Sequence, residues 1–177
     1  QPRWLKPLTF PNRSMKTETA QGSELPNVGA GSDTYSLTDA FDDADRVVVL
    51  LQRDYHCHKC RQQTKDVAER YEEFAERGAE VVVVLPDSPE KARGWAEKMD
   101  LPFPLLADEG ARVGDEYGQE VRFGPIGRLH DFVGRMPVAL VLTKDGDGIS
   151  VAYDHNGDSY GDRPSVDELL EQVGSGR

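Results

Sequence analysis

Residues 46–60 have the sequence RVVVLLQRDYHCHKC, and this stretch decides the fold. It opens with a continuous run of β-branched and leucine side chains, which is typical of a strand buried on both faces of a parallel sheet. Cys57 and Cys60 follow after a short polar segment. Apolar residues then recur at helical spacing, which predicts a helix over about residues 59–77. The stretch is therefore a buried strand, a loop with two thiols and the start of a helix.

Two further strands and two helices are predicted downstream. The segments AEVVVVLP at 79–86 and FPLLAD at 103–108 are short apolar runs of the same kind. Ser88, which is followed by a proline, is expected to cap the helix between them, and Asp108 a brief helix after them. Alternating strands and helices require a mostly parallel sheet with helices packed against it.

The C-terminal part of the chain adds antiparallel strands. Residues 137–153, PVALVLTKDGDGISVAY, contain two apolar segments around an Asp-Gly turn, which predicts a β-hairpin. Ser165 and Glu168 have the spacing of a capping box, so the last helix is expected to start at Ser165. The polar segment DHNGDSYGDR at 154–163 is expected to be a solvated loop. The fold class is therefore α/β with a mixed central β-sheet.

Length and charge restrict the classes of protein that fit. The chain has 177 residues, enough for one domain. Residues 1–23 are polar and lack periodicity, so a flexible N-terminal extension is expected before a domain at 24–177. The formal net charge of −11 argues against nucleic-acid binding and favours a salt-adapted, halophilic protein. No membrane-spanning run or signal-peptide pattern is present, so the expected location is the cytoplasm and no membrane partner is predicted.

The cysteine pair indicates thiol redox chemistry. Cys57 and Cys60 are the only cysteines, and their i, i+3 spacing at a helix start lets one sulfur attack and the other resolve. The thiolate is the reactive form, and both helix amides and nearby cations lower a thiol pKa. The supporting cations in this segment are Arg53, Lys59 and Arg61, and His56 and His58 join them when protonated.

A metal site is the alternative from another class of function. The potential ligands close together in sequence are His56, Cys57, His58 and Cys60. Adjacent side chains diverge, and a tetrahedral zinc site normally takes its second pair of ligands from a distant segment. His130 and His155, the remaining histidines, are expected at the surface. Neither a metal nor another cofactor is therefore predicted.

Five segments together resemble the thioredoxin-like superfamily, in its alkyl hydroperoxide reductase / thiol-specific antioxidant branch, which is peroxiredoxin-like. They are LPNVGAGSDTYSLTDAF (25–41), VVVLLQRDYHCHKCRQQ (47–63), LPFPLLADEGARVGDEYG (101–118), MPVALVLTKDGDGI (136–149) and DRPSVDELLEQV (162–173). The resemblance covers about residues 24–173. It implies a three-layer thioredoxin-like fold with helices on both faces of the sheet.

The resemblance also implies a function. A protein of this kind is a thiol-dependent oxidoreductase with antioxidant activity, which reduces peroxides or protein disulfides by cycling a dithiol, here that of Cys57 and Cys60. A thioredoxin-type protein or a low-molecular-weight thiol is implied as the reductant. The alternative is a non-enzymatic metal-binding or interaction domain on the same fold.

The family motif, Pro-x-x-x-Thr-x-x-Cys, leaves the roles of the two cysteines open. With Cys60 in the place of the motif cysteine, Cys57 stands in the threonine place and Arg53 in the proline place. In a thioredoxin-type assignment Cys57 attacks and Cys60 resolves, whereas a peroxiredoxin-type assignment reverses them. We expect Cys57 to attack, because the first residue of the helix faces solvent and its pKa falls to roughly 6–7.5.

The segment before the closing hairpin is expected to support the site. Aligning that hairpin with the family puts Pro137 in the place of the family's catalytic arginine, while Arg135 lies two residues upstream. The resemblance further implies a cis peptide bond between Met136 and Pro137, facing the cysteines.

Overall fold

A central five-stranded sheet organises the computed structural model, which describes residues 20–122 and 134–174. The strands are β1 (Leu25–Pro26), β2 (Thr34–Tyr35), β3 (Arg46–Leu51), β4 (Ala79–Leu85), β5 (Leu105–Ala107), β6 (Val121–Arg122), β7 (Gly134–Arg135), β8 (Val138–Asp145) and β9 (Gly148–Asn156). The central sheet has the order β5-β4-β3-β8-β9. Two short antiparallel pairs, β1 with β2 and β6 with β7, lie outside it.

The pairing of the strands confirms the mixed sheet. Strand β3 is parallel to β4, which is parallel to β5. Strand β8 runs antiparallel to β3, with Leu51 opposite Val138, and β9 runs antiparallel to β8. The predicted hairpin is present, and Gly146 takes the positive φ of 61° that its tight turn requires. The carboxyl end of β3 therefore lies beside the start of β8.

Two of the helices in the described chain begin at their predicted capping residues, and a third does not. They are α1 (His58–Glu69), α2 (Tyr71–Glu76), α3 (Pro89–Met99), α4 (Arg112–Glu116) and α5 (Val166–Val173), with short 3-10 helices at Ala20–Gly22 and Asp39–Asp42. The side chain of Ser88 accepts a hydrogen bond from the amide of Lys91, 3.3 Å away. Ser165 and Glu168 form the complete predicted capping box of α5. The helix starts predicted at Ser88 and Ser165 are therefore confirmed. The start predicted at Asp108 is wrong, because the chain first turns through Ala111 in a left-handed conformation and α4 begins at Arg112, while the carboxylate of Asp108 accepts from the amide of Val113, 2.8 Å away.

Alternate residues of β3 enter two separate cores, as a strand buried on both faces requires. Val48 and Leu50 pack with side chains of α1, α2, α3 and α5. Val47, Val49 and Leu51 pack on the opposite face with α4 and the two 3-10 helices. The sheet is thus the middle of three layers, and the α/β thioredoxin-like architecture is confirmed.

The helix predicted over residues 59–77 is interrupted. Arg70 leaves helical geometry at φ −116° and ψ 20°, which separates α1 from α2. Its guanidinium pairs with Glu73 and with Asp167 of α5, at 2.7 Å from the latter. The break accompanies the packing of α2 on β4, where Phe74 is fully buried. The helical spacing of apolar residues continues across this break, so the spacing could not predict it.

The folded part starts before the predicted boundary at position 24. Ala20–Gly22 form a 3-10 turn in which Ala20 is buried, and the carbonyl of Gln21 accepts a hydrogen bond from the amide of Thr38, 3.2 Å away. The rest of the predicted extension, residues 1–19, lies outside the described residues, as does His130. Within residues 20–122 and 134–174, no helix is both long and apolar enough to cross a membrane.

Candidate active site

The two cysteines form a disulfide in the first turn of α1. Cys57 is the N-cap residue of the helix, and its sulfur accepts a hydrogen bond from the amide of Cys60, 3.1 Å away. The Cα atoms of the pair are 5.2 Å apart, and their sulfurs lie at bonding distance. The pairing expected from the i, i+3 spacing is therefore confirmed. An N-cap position also directs unpaired helix amides toward the sulfur of Cys57.

The two sulfurs differ in their access to solvent. Cys57 is 6% exposed and Cys60 is 0% exposed, so the expected order is present, although Cys57 is far less exposed than the sequence suggested. A shallow cleft of about 500 Å³ opens beside Cys57. Its lining residues are Arg53, Asp54, His56, Cys57, His58, Lys59 and Tyr160. A reactant in this cleft meets Cys57, whereas Cys60 lies beneath it.

Arg163, which sequence reasoning missed, contacts both sulfurs. Its Nη2 atom lies 3.0 Å from Sγ of Cys60 and 3.6 Å from Sγ of Cys57. Its Nη1 atom donates to the side-chain oxygens of Gln52 and Gln63, each 2.7 Å away. These bonds hold the half-buried guanidinium beside the two sulfurs.

The segment that carries Arg163 differs from the predicted solvated loop. Residues 154–156 continue β9, and the side chain of Asp162 is held by the ring of His155, 2.9 Å away, and by the amide of Asp158. Arg163 itself turns inward, with Nε donating to the carbonyl of Tyr160 at 2.7 Å. The expectation of a solvated loop is wrong for Arg163, because the hydrogen-bond acceptors at the end of β3 and on α1 draw it into the site.

The surroundings of Arg163 destabilise its positive charge. Burial, together with the positive charge of Arg53, lowers the pKa of its guanidinium to about 10. Its acceptors are neutral amide, carbonyl and sulfur atoms, and within the described residues no carboxylate lies within ion-pair distance of it. A thiolate formed at either cysteine would supply the missing negative charge.

Arg53 lies at the end of β3 and forms one wall of the cleft. Its backbone amide lies 3.5 Å from Sγ of Cys60. Its guanidinium lies over the ring of Tyr160, 3.0 Å from the centroid, and donates from Nε to the carbonyl of Arg135 at 2.6 Å. The carboxylate of Asp54 is 3.6 Å from Nη1. Arg53 therefore approaches the cysteines through its backbone and shapes the cleft through its side chain.

The other cations predicted near the cysteines lie on two sides of them. His56 is exposed in the cleft, where its ring packs edge-on against Tyr55 with 5.0 Å between centroids. His58 is the first residue of α1 and lines both the cleft and a second depression between α1 and α3. Arg61 lines only the second of these depressions. The structure thus brings His56 and His58 beside Cys57, and it places Arg61 on the neighbouring surface.

The side chain of Arg135 is directed away from the sulfurs. Its Nη1 atom contacts Asp115 at 3.2 Å and Gln119 at 3.4 Å. Its carbonyl is the group that reaches the site, as the acceptor for Arg53. Arg135 therefore adds no positive charge at the disulfide in this structure.

Pro137 is buried at the start of β8, and the cis peptide bond expected before it is absent. The described residues contain no cis peptide bond. The amide of Met136 donates to the backbone carbonyl of Glu120 at 2.9 Å, and its carbonyl accepts from the side-chain amide of Gln119 at 3.0 Å, so both groups are satisfied with the bond in trans. The carbonyl of Pro137 accepts from Gly157 at 2.9 Å. Trans is also the intrinsically favoured form, by about 0.5–1 kcal/mol.

The chemistry that this arrangement supports is exchange at sulfur. The sulfurs of Cys57 and Cys60 are bonded to each other, and a sulfur in a disulfide is not a thiolate ligand for a metal ion. In the described part of the chain, no three His, Cys, Asp or Glu side chains form a group that could hold a metal. A sulfur at the edge of a cleft, a fully buried partner sulfur and a cation beside both are the parts of a redox-active dithiol.

Comparisons with known proteins agree with this geometry. A family model described as the AhpC/TSA family matches residues 17–146. Over 59 residues the chain is 44% identical to a chloroplastic peroxiredoxin Q of Sedum lineare, which covers 33% of this chain and 32% of the relative. The chain thus matches about a third of the length of its first curated relatives.

Solved structures show the same fold at low sequence identity. Peroxidoxin BcpB of Mycobacterium tuberculosis superposes with a TM-score of 0.66 at 22% identity, over 85% of this chain and 90% of the other. The bacterioferritin comigratory protein of Xanthomonas campestris gives a TM-score of 0.66 at 16% identity, over 87% and 91% of the two chains. The family model spans well over half of the sequence, and the chain therefore belongs to the AhpC/TSA family.

Proposed function

We propose that this protein is a thiol peroxidase that reduces a peroxide with the dithiol of Cys57 and Cys60. The observation that carries the proposal is the meeting of the two sulfurs at the start of α1, with Cys57 beside an open cleft and Cys60 buried against Arg163. Family membership supports the same activity. The similar Xanthomonas campestris protein is described by its alkyl peroxide reduction activity.

The proposed reaction has two steps. The thiolate of Cys57 attacks one peroxide oxygen, the O–O bond breaks, and the departing oxygen takes a proton to leave as water or an alcohol. Cys57 is then a sulfenic acid. The thiolate of Cys60 attacks its sulfur, which forms the disulfide and releases the hydroxyl group as water after protonation. The peroxide has gained the two electrons that the dithiol has lost.

Arg163 has a defined part in both steps. Its guanidinium contacts both sulfurs, so it stabilises a thiolate on whichever cysteine is deprotonated. It also acts when the disulfide is reduced. An incoming thiolate reaches Cys57 through the cleft, and Cys60 then leaves as a thiolate 3.0 Å from Nη2. A stabilised leaving group accelerates thiol–disulfide exchange.

The reductant and the location belong to the same proposal. A thioredoxin-type protein or a low-molecular-weight thiol reduces the disulfide and returns the enzyme to its active state. The cytoplasm is the proposed location, because its reducing pool of thiols supports such a cycle. The metal-binding alternative is not favoured, given the disulfide and the family.

Reduction of protein disulfides is the second candidate. Cys57 stands in the place where the family motif has threonine, so the site has a second thiol instead of that hydroxyl group. A dithiol in Cys-x-x-Cys spacing suits exchange with a disulfide on another protein.

Steady-state turnover separates the two candidates. The full chain is supplied with tert-butyl hydroperoxide and excess dithiothreitol, and peroxide loss is followed against a sample without protein. We expect many turnovers per chain, abolished in Cys57→Ser and strongly slowed in Cys60→Ser. Unchanged peroxide loss in Cys57→Ser would contradict the proposal. No peroxide loss together with rapid reduction of insulin disulfides would assign the second candidate instead.

A further inference from the structure

A narrow depression beside the disulfide separates α1 from α3. Its floor is formed by Tyr55, Trp95 and Met99, which are aromatic or thioether side chains. The indole nitrogen of Trp95 donates to the carbonyl of Tyr55 at 2.9 Å, which ties α3 to the loop that precedes the cysteines. The depression has a volume of about 190 Å³. It is smaller than the usual pocket for a small-molecule ligand and is large enough for one or two side chains.

Basic side chains surround this apolar floor. Arg61 and Lys65 lie one turn apart on α1, His58 lies one turn before them, and Lys98 faces them from α3. Together with the floor, these four residues are called the basic groove. His58 also lines the cleft at Cys57, so the basic groove and the cleft adjoin at this residue.

The cations of the basic groove lack acidic partners. Within residues 20–122 and 134–174, no carboxylate lies within 4.0 Å of Arg61, Lys65 or Lys98. By contrast, Arg70 and Arg122 each contact two carboxylates. Like charges one turn apart on a helix destabilise it by roughly 0.2–0.5 kcal/mol per pair. An unpaired cluster of this kind is unexpected in a chain with 32 acids and 21 basic residues.

We propose that the basic groove binds an acidic segment of the protein whose thiols reduce the disulfide. The segment places an apolar side chain against the floor and two or more carboxylates against the rim. Its cysteine then lies over the cleft, within reach of Cys57. The inference rests on the proposed function, because it assigns a partner to the same disulfide.

The exchange balances in atoms and electrons. One thiolate of the partner attacks the sulfur of Cys57, which forms a mixed disulfide and releases Cys60 as a thiolate. The second partner thiolate then attacks the partner's own sulfur in the mixed disulfide and releases Cys57. The partner ends as a disulfide and this protein as a dithiol. The two protons that the partner thiols lose equal those that the new dithiol takes up when fully protonated.

Two synthetic peptides test this inference. The acidic peptide contains two cysteines separated by two residues, followed by one leucine and three aspartates. Its neutral twin has asparagine in place of each aspartate. The rate constant for reduction of the oxidised full chain is measured with each peptide, and dithiothreitol provides the reference rate for each protein variant.

The direction of the rate difference between the two peptides shows whether the basic groove or the net charge of the whole chain controls the approach of the peptide. A net charge of −11 repels an acidic peptide, so a surface without a basic groove makes the acidic peptide slower than its twin. With the basic groove present, we expect the acidic peptide to reduce the disulfide about tenfold faster than its neutral twin at low ionic strength. This advantage should be lost in 1 M sodium chloride. Equal rates, or a slower acidic peptide, would overturn the inference.

Charge-removing variants locate the effect. The double variant Lys65→Gln/Lys98→Gln should remove the advantage of the acidic peptide relative to dithiothreitol. Lys144→Gln, which removes one exposed charge at the far end of β8, should keep it. An advantage that survives the double variant would overturn the proposed groove. Equal slowing of dihydrolipoate, a small anionic dithiol, would assign the groove to small anions in place of a protein.

The reference reaction separates the failure of this inference from the failure of the proposed function. If dithiothreitol reduces the disulfide and the peptides show no preference, only the docking inference fails. If the reduced chain does not consume peroxide, the proposed peroxidase fails, whatever the peptide rates show.

Discussion

Arg163 connects the charge of the site to the redox state of the two cysteines. In the oxidised protein it faces neutral acceptors, and burial lowers its pKa to about 10. Reduction allows a thiolate to form 3.0 Å from its Nη2 atom, which pairs a previously unpaired cation. Unit charges 4 Å apart attract by about 4 kcal/mol at an effective dielectric of 20, before desolvation is subtracted. The pairing therefore favours the reduced, reactive form.

Replacing Arg163 should raise the thiol pKa of Cys60. In a Cys57→Ser chain, adding Arg163→Gln removes the positive charge beside the remaining sulfur. The thiolate is then less stable relative to the neutral thiol. We expect the pKa to rise by about one unit, measured from the ultraviolet absorbance of the thiolate against pH. Arg163→Lys should restore part of the shift. Arg93→Gln, at an exposed position of α3, is the matched control, and a shift of equal size there would refute the local effect.

The order of attack is the second question at the residue scale. Cys57 has the helix amide and the open cleft, and Cys60 is fully buried, so Cys57 should be the faster nucleophile. Reduced Cys60→Ser, which keeps Cys57, should react with iodoacetamide at pH 6 several times faster than reduced Cys57→Ser. A faster reaction of Cys60 would reverse the roles and make Cys60 the residue that attacks peroxide.

At the scale of elements, the start of α1 carries both cysteines after the loop that follows β3, and α5 anchors the segment that carries Arg163. The capping box at Ser165 begins α5 only two residues after Arg163. Arg70 of the break between α1 and α2 contacts Asp167 of α5, 2.7 Å away. The capping box fixes where α5 begins, and the contact with Arg70 ties α5 to the layer that supports the disulfide.

Loss of the α5 cap should weaken the fold measurably. Ser165→Ala removes the acceptor for the amide of Glu168, 3.1 Å away, and should lower the free energy of unfolding by about 1 kcal/mol. Urea denaturation of the oxidised chain measures the change. Ser32→Ala, at an exposed position between β1 and β2, is the control and should have no effect. Equal stability of the two variants would show that the cap contributes nothing.

Local sequence signals explain which elements could be predicted. The apolar run of β3, the hairpin turn at Gly146 and the capping box at Ser165 each depend on residues close together in the chain, and all three are present. The break at Arg70 depends on a contact with distant α5 and was missed. The cis bond before Pro137 was inferred from resemblance, and the structure has that bond in trans.

In the candidate site, too, the features set by neighbouring residues could be predicted and those set by distant contacts could not. Cys57 and Cys60 are neighbours in sequence, so their disulfide could be predicted from spacing. Arg163 is 103 residues beyond Cys60, and no periodicity or motif links the two. The available signal was a single arginine at the end of an acidic segment, which solvation explained equally well. Chain folding brings the two ends of the site together.

At the scale of the whole molecule, negative charge surrounds a site whose nearby surface is basic. The chain has a formal net charge of −11, yet the basic groove keeps three cations without carboxylate partners among the described residues. The net negative charge of the chain repels most anions, and the local positive charge of the basic groove attracts an acidic segment at one place. A salt-adapted origin of the acidic surplus stays a prediction.

The central claim is that one chain completes a two-electron cycle with its own two sulfurs. The direct test is a titration of free thiols in the reduced protein before and after one equivalent of hydrogen peroxide, combined with intact mass. We predict that both thiols disappear and that the mass of the single chain falls by two hydrogens. A mass gain from sulfinic acid, disulfide-linked dimers, or two thiols that persist would contradict the account.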